Sequence, residues 1–415
     1  MTDAPRTSNP YAAMQVRDFR LFILARMFIT IAVTIQAVVV GWQVYEITKD
    51  PLSLGLIGLA EAIPAIAVSL YAGHLADIVE RKKIILICVL TLVICSVSLL
   101  LFTLDGNAFL LRYGAIAIYV VIFVSGIARG FLSPANFSFM PQLVSRELYQ
   151  NAITWNSTIW EGSALTGPVI GGLVYGFFGV TAAYGVDALL TIAALLCYFL
   201  IPTRPLPPVS EEQGIWEKIK AGIRFVFGNQ IILSAITLDL FAVLFGGAVA
   251  LLPIFAAEIL DVGKVGLGFL RSAPGVGAML TAIYITHYPI KKFMGVKLLW
   301  CVAGFGACMI GFGLSTSFWL SMALLVLSGA FDCVSVIARG TLIHTLTPEN
   351  MKGRVSAVNS IFVGSSNEIG AFESGVTARL LGTVRSVVIG GALTLAVVAT
   401  TAWKAVKLRR LEKLD

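Results

Sequence analysis

Twelve ionisable side chains stand inside long apolar runs of this chain: Glu61, Glu161, Asp187, Asp239, Asp332, Glu368 and Glu373, with Arg26, Arg129, Arg271, Arg339 and Arg379. An ionised group near the middle of a bilayer costs at least about 2.5–3.5 kcal/mol on insertion scales, so each is expected to face a bundle interior or a partner. The chemistry such groups offer is proton exchange. A carboxylate caught between desolvation and a neighbouring guanidinium can load and release a proton. Asp332 and Arg339 are seven residues apart, on one face of one helix and about 10 Å apart along its axis. Arg26, Arg129 and Asp239 fall at a similar inner depth, and Glu368 lies deep in another run. These six are the candidates for lining or coupling to a cavity. Asp187, Glu373 and Arg379 stand nearer the ends of their runs and read as interfacial, structural residues.

Other chemistries are poorly served. The chain has three His and six Cys (Cys88, Cys95, Cys197, Cys301, Cys308, Cys333) with no C-x-x-C pair, so no metal site or disulfide framework is expected. Neither a P-loop nor G-x-S-x-G occurs, and no cofactor is implied. A membrane enzyme with an intramembrane acid site and a transport-inactive receptor remain as competing readings.

The elements that must position these residues follow from apolar length. Hydrophobic residues make up 58% of the 415 and charged ones 13%, where a soluble protein carries about 25%. Lipid is therefore the solvent. Twelve spans are read, at roughly 21–45, 54–75, 84–104, 114–134, 151–178, 183–201, 231–256, 265–287, 297–314, 317–341, 355–381 and 384–404, each close to the ~20 residues that cross a bilayer. The longest polar interruption carries Pro202, Pro205, Pro207 and Pro208, then an amphipathic stretch from Ile215 to Phe227. It divides the chain into a half at 1–201, a cytoplasmic linker with a surface helix at 202–229 and a second half at 230–415.

Of the 30 Lys and Arg, 21 fall in the alternate polar segments that include both termini. Four (Lys49, Arg112, Lys264, Arg385) fall in the intervening ones, and five lie inside spans. That bias puts both termini in the cytoplasm. It also accounts for the net charge of +7 without nucleic acid. Met1–Arg20 is polar and no cleavage site follows the first apolar run, so no cleavable signal peptide is expected. The halves repeat at a constant offset of 203: Asn156-Ser157 with Asn359-Ser360, and Gly167, Gly172 and Gly179 with Gly370, Gly375 and Gly382. Arg129-Gly130 and Arg339-Gly340 form a looser pair.

Between spans 2 and 3 lies Gly73-His74-Leu75-Ala76-Asp77-Ile78-Val79-Glu80-Arg81-Lys82-Lys83. This resembles the loop between the second and third helices of major facilitator transporters, with Ile78 where the family has a basic residue and Glu80 where it has Gly. Span 5 carries Gly162, Gly167, Pro168, Gly171, Gly172 and Gly176, similar to the Gly-Pro motif of the family's exporters. Arg17-Asp18-Phe19-Arg20-Leu21-Phe22, Leu238-Asp239-Leu240-Phe241, Ser366-Asn367-Glu368-Ile369-Gly370 and Thr347-Pro348-Glu349 with Arg354 resemble the enterobactin-exporter-like subgroup. The resemblance implies an all-α integral membrane protein of two pseudo-symmetric six-helix halves. It implies a cytoplasmic gate at Gly73, Asp77 and Arg81, and a helix-packing gate at Gly167, Pro168, Gly171 and Gly172.

Activity follows from the same resemblance: alternating-access export of an organic small molecule, possibly a siderophore, by proton antiport. A monomer in the bacterial inner membrane is expected, partnered by substrate, protons and lipid. Multidrug or macrolide efflux is the alternative, with lipid or metabolite transport behind it. A positive rim from Arg26, Arg129 and Arg339, and walls from Phe28, Trp42, Phe241 and Phe245, would suit a bulky anionic amphiphile.

Overall fold

The computed structural model describes residues 9–104, 113–204, 215–288, 293–348 and 351–409, and among them no strand occurs. Hydrocarbon offers the backbone no hydrogen-bond partner, so apolar segments of this length satisfy their own N–H and C=O groups as helices. In chain order these are α1 (Arg17–Thr48), α2 (Pro51–Ile78), α3 (Arg81–Leu104), α4 (Ile116–Phe139), α5 (Tyr149–Leu200), α6 (Ile215–Gly228), α7 (Gln230–Gly246), α8 (Gly263–His287), α9 (Met294–Leu314), α10 (Phe318–Leu346), α11 (Lys352–Leu381), α12 (Thr383–Lys404) and the short α13 (Val406–Arg409). Asn229 starts α7: its side chain accepts from the Ile231 and Ile232 N–H groups at 3.1 and 3.2 Å. Several hydroxyls inside spans are satisfied on their own helix, as where Thr30 donates to the Arg26 carbonyl.

Each of the twelve expected ranges falls largely within these helical segments. Among the described residues, nine helices are long and apolar enough to cross a membrane. One of the nine runs from Arg146 to Leu200 and covers two expected ranges. α8 and α11 carry more charge: Lys264 and Arg271 in α8, and Lys352, Arg354, Glu368, Glu373 and Arg379 in α11.

The break inside α5 comes at Gly179 (φ 86°, ψ 175°), and the break between α11 and α12 comes at Gly382 (φ 91°, ψ 150°). Only glycine adopts that backbone at little cost. The two are a 203-offset pair, so the sequence repeat is also a repeat of backbone shape. A second pair behaves alike. A Cβ on Gly167 would stand 3.1 Å from the Ile31 carbonyl of α1, and one on Gly370 would stand 3.0 Å from the Val243 carbonyl of α7. Both glycines let two helix backbones touch.

The chain divides into two compact units, Met1–Val40 with Ile63–Ser210, and Gly41–Ala62 with Glu211–Asp415. In the first, α3 packs on α4 and α5, and α5 on α1. Its core gathers Phe19, Phe22, Phe139 and Tyr198, with Phe22 edge-on to Tyr198 at 6.1 Å. In the second, α9 packs on α10 and α12, α11 on α7, and α8 on α10. Its core includes Leu238, Leu298, Leu342 and Leu408. The packing of α9 on α10 and α12, and of α11 on α7, parallels that of α3 on α4 and α5, and of α5 on α1. The amphipathic α6 lies against α7 and α11, burying Val226.

Residues Gly41–Ala62, the end of α1 and the start of α2 at the hairpin tip, belong to the second unit.

Candidate functional site

The basic turn after α2 fastens helix ends. Arg81 donates to the Ser138 carbonyl in the last turn of α4 at 3.1 Å, and Lys82 donates to the Phe199 carbonyl at the end of α5 at 3.1 Å. Lys83 pairs with Glu80 at 3.0 Å. Cations at helix C-termini meet the negative end of the dipole and unpaired carbonyls. Nearby, Asp18 in the first turn of α1 pairs with Arg204 at 2.6 Å. Gly73 and Asp77 fall within α2, and the side chain of Asp77 lies outside the described residues.

In the first unit Arg26 is half-buried, with a buried Nε that makes no hydrogen bond to a described residue. It lies in the field of Tyr198, whose hydroxyl donates to Asn136 Oδ1 at 2.8 Å. Arg129 is half-buried on α4. Asp187 is packed inside the protein. It is 1% exposed, on the second limb of α5, and accepts a hydrogen bond from Ser96 of α3.

The second unit brings the other candidates together. Asp239 of α7 and Arg339 of α10 form an ion pair in which the two side chains are 5% and 6% exposed. Asp332, half-buried and two turns before Arg339, shares with Asp239 a cavity of about 10 Å³ that Ser335, Cys301, Val302, Phe305 and Phe331 also line. That is close to the room of one water. The Ser335 hydroxyl is buried and makes no hydrogen bond to a described residue. The expected positive rim is corrected here: Arg339 spends its charge on Asp239.

Glu368 of α11 belongs to another cluster. Its carboxylate rests on Gly58 of α2, where a Cβ would come within 2.9 Å of Oε2. Arg271 of α8 lies in the field of both Glu368 and Glu61, the latter three residues beyond Gly58 on α2. Beyond it, α2 and α11 touch through Gly55 and Gly375, each placing its would-be Cβ 3.0–3.2 Å from the other's Cα. The hairpin tip is then closed by ion pairs Glu46–Lys264 at 3.3 Å and Asp50–Arg379 at 3.5 Å, and by a Tyr45 hydroxyl donating to Glu258.

Gly167 and Gly171, assigned by sequence to a gate between halves, instead meet α1 residues of their own unit, Ile31 with Thr34 and Ile35. Gly167, Pro168, Gly171 and Gly172 are all buried. The aromatic walls are redistributed too. Trp42 is 7% exposed beneath Lys264, Phe28 packs on the first unit's core, and Phe241 stacks on Phe245 at 5.9 Å.

A family described as transmembrane secretion effector matches residues 8–415. This chain belongs to that family. It is 28% identical to the enterobactin exporter EntS of Escherichia coli O1:K1 over 396 residues, 95% of this chain and 93% of the relative. The enterobactin exporter EntS of Shigella boydii serotype 18 matches over the same lengths, also at 28%. Among solved structures, a bacterial homologue of the human lysosomal transporter Spinster superposes with a TM-score of 0.74 at 14% identity, covering 94% of this chain and 97% of that one. A bacterial homologue of the iron transporter ferroportin gives 0.71 at 15% identity, covering 95% and 99%. The fold is that of the major facilitator superfamily, and the chain is a multi-pass membrane transporter of small molecules, not an enzyme.

Within this family member the structure makes two acid–base clusters in the second unit, one on α7 and α10 and one on α2, α8 and α11. The second was missed because Glu61 and Arg271 carry no motif of their own. A signal was available. Glu61 and Arg271 are 210 residues apart, as are Pro64 and Pro274, and as are Arg129 and Arg339.

Proposed function

We propose that this transporter exports an organic small molecule, in the first place a siderophore, by proton antiport and alternating access, as a monomer of the bacterial cytoplasmic membrane. The observation that carries the coupling is Asp332, an acid opening onto a water-sized cavity beside the buried Asp239–Arg339 pair. A cavity of that size gives a proton on Asp332 room for exchange, and the neutral pair beside it adds no net charge. The substrate class is supported by the likeness to the enterobactin exporters along 95% of the chain. Arg26 and Arg129 in the first unit supply the cationic side of a site for an anionic ligand. Multidrug efflux is the second reading, favoured by the neutralisation of Arg339 and the presence of Asp332, which suit a hydrophobic cation.

Proteoliposomes separate the two. A catecholate chelator should move against its gradient when a pH gradient is imposed and stop moving when a protonophore is added. Robust flux of hydrophobic cations with none of the chelator would retire the siderophore reading.

Two halves at 1–201 and 230–415, joined by a cytoplasmic linker at 202–229, complete the proposal, with Gly73, Asp77 and Arg81 at the cytoplasmic gate. The cation bias puts both termini inside. A cysteine introduced at Val209 should react with an impermeant maleimide only after the cells are opened. Labelling in intact cells would invert the topology.

A further inference from the structure

Three buried serines stand seven residues apart on α10, and so on one face of it: Ser321, Ser328 and Ser335, at 0%, 2% and 2% exposed. The first two are satisfied. Ser321 donates to the Ser315 hydroxyl at 3.0 Å, and Ser328 to the Leu325 carbonyl of its own helix at 2.7 Å. Further along α10, Thr341 donates to the Ile337 carbonyl in the same way. Ser335 makes neither kind of bond, and its hydroxyl has no partner among the described residues. A serine inside a helix has a carbonyl within reach one turn back, so a hydroxyl that leaves it unused is turned elsewhere.

Ser335 lines the cavity of about 10 Å³ that Asp239 of α7 and Asp332 of α10 also line. Asp332 stands three residues before it, a spacing at which helical side chains are neighbours. Asp239 already has Arg339. Asp332 is therefore the acid that this hydroxyl is placed to serve. Other ionisable groups come from the elements packed against α10. On α9, the Cys301 thiol lines the cavity, and Lys297 one turn earlier lies in its field. On α8, Arg271 lies in the field of Glu61 and Glu368, Lys264 pairs with Glu46, and His287 meets the Ile283 carbonyl. On α11, the Glu368 carboxylate rests near Gly58 of α2, Arg379 pairs with Asp50, and Glu373 lies five residues beyond Glu368. Among all of these, the groups on the cavity wall with Asp332 are Asp239 and Cys301.

We propose that Ser335 is the positioning residue of the coupling acid: its hydroxyl donates to the Asp332 carboxylate when that group is ionised, and accepts from the Asp332 carboxyl when it is protonated. This rests on the reading of Asp332 as the proton carrier and adds the group that serves both of its states. A hydroxyl suits that task because it carries one donor and two acceptor sites and rotates between them. The bond to the ionised acid is the stronger, as charge-assisted ones are, so Ser335 favours release of the proton. The proton joins or leaves one Asp332 oxygen, the hydroxyl keeps its own, and no other bond changes.

The test is an infrared pH titration of the full chain in lipid nanodiscs without substrate, with Asp332→Asn as the reference that identifies the C=O band of the protonated Asp332 carboxyl. Ser335→Ala should move the midpoint of that band to higher pH by about one unit, about tenfold in proton affinity. Ser335→Thr keeps the hydroxyl and should titrate as the parent does. Ser335→Val, close in shape to Thr but without the hydroxyl, should shift as Ser335→Ala does, and the Thr and Val pair decides the matter if Ser335→Ala does not fold. A serine that only packs would lower folded yield and leave the midpoint in place. Equal midpoints in the parent and Ser335→Ala, or Thr and Val variants that titrate alike, would overturn the assignment. So would a parent in which no Asp332 band titrates. The coupling reading is judged apart from this. Gradient-driven flux of a catecholate chelator that survives in Asp332→Asn proteoliposomes would sink proton carriage by Asp332, while the infrared shift would still report what Ser335 does to that acid.

Discussion

Asp332→Asn should abolish substrate accumulation driven by a pH gradient while leaving exchange of labelled for unlabelled substrate at the parent rate. The two assays part because they use different steps. Exchange needs only that the loaded carrier present its site to either side. Net antiport needs a group that carries a proton on the return. Asp332 is suited to that role by its surroundings: a half-buried carboxylate on a cavity of about 10 Å³, beside a pair whose own charges cancel. Asn keeps the size and polarity of the side chain, so folded yield should be unchanged in size-exclusion profiles. If gradient-driven flux persists in Asp332→Asn, the proton is carried elsewhere, and Glu368 becomes the next candidate.

Much of the fold was legible because lipid constrains it so tightly. Each span had to be an unbroken apolar run, and the positions at which the chain turns without a polar loop had to be glycine. Gly179 and Gly382 were read as a repeat and proved to share one backbone conformation. Roles that depend on which helix lies next door were not legible. Gly167 and Gly171 carry a motif that fits a gate, yet small residues serve any close helix contact equally, and here the contact is α1. Asp187 looked interfacial by its distance from a span end. It is nonetheless buried to 1% exposure against Ser96, a packing that distance from a span end does not announce. The basic turn was read through its family pattern, while two of its cations, Arg81 and Lys82, cap helix C-termini. The pairing of Asp239 with Arg339 joins residues 100 positions apart, a partnership set by the packing of α7 on α10 that no local spacing announces.

That pair carries the other large expected effect. Arg339→Leu or Asp239→Leu alone should destabilise the protein by about 3–5 kcal/mol, because each leaves an uncompensated charge buried. The double variant Asp239→Leu with Arg339→Leu should recover most of the loss, since replacing both charges with apolar groups is often neutral or stabilising. Thermal midpoints read by fluorescence-detected size exclusion in detergent would show the pattern. Transport then decides what the pair is for. If it only holds α7 to α10, the double variant regains flux along with its midpoint. If it also sets the field at Asp332, the double variant regains its midpoint while gradient-driven flux stays lost. The second outcome is expected, because Asp239 lines the same cavity as Asp332 whereas Arg339 does not, so removing the pair takes the nearer dipole end away from Asp332. A double variant no more stable than either single one would mean that the pair is not a closed unit, and that Asp239 or Arg339 has a further partner.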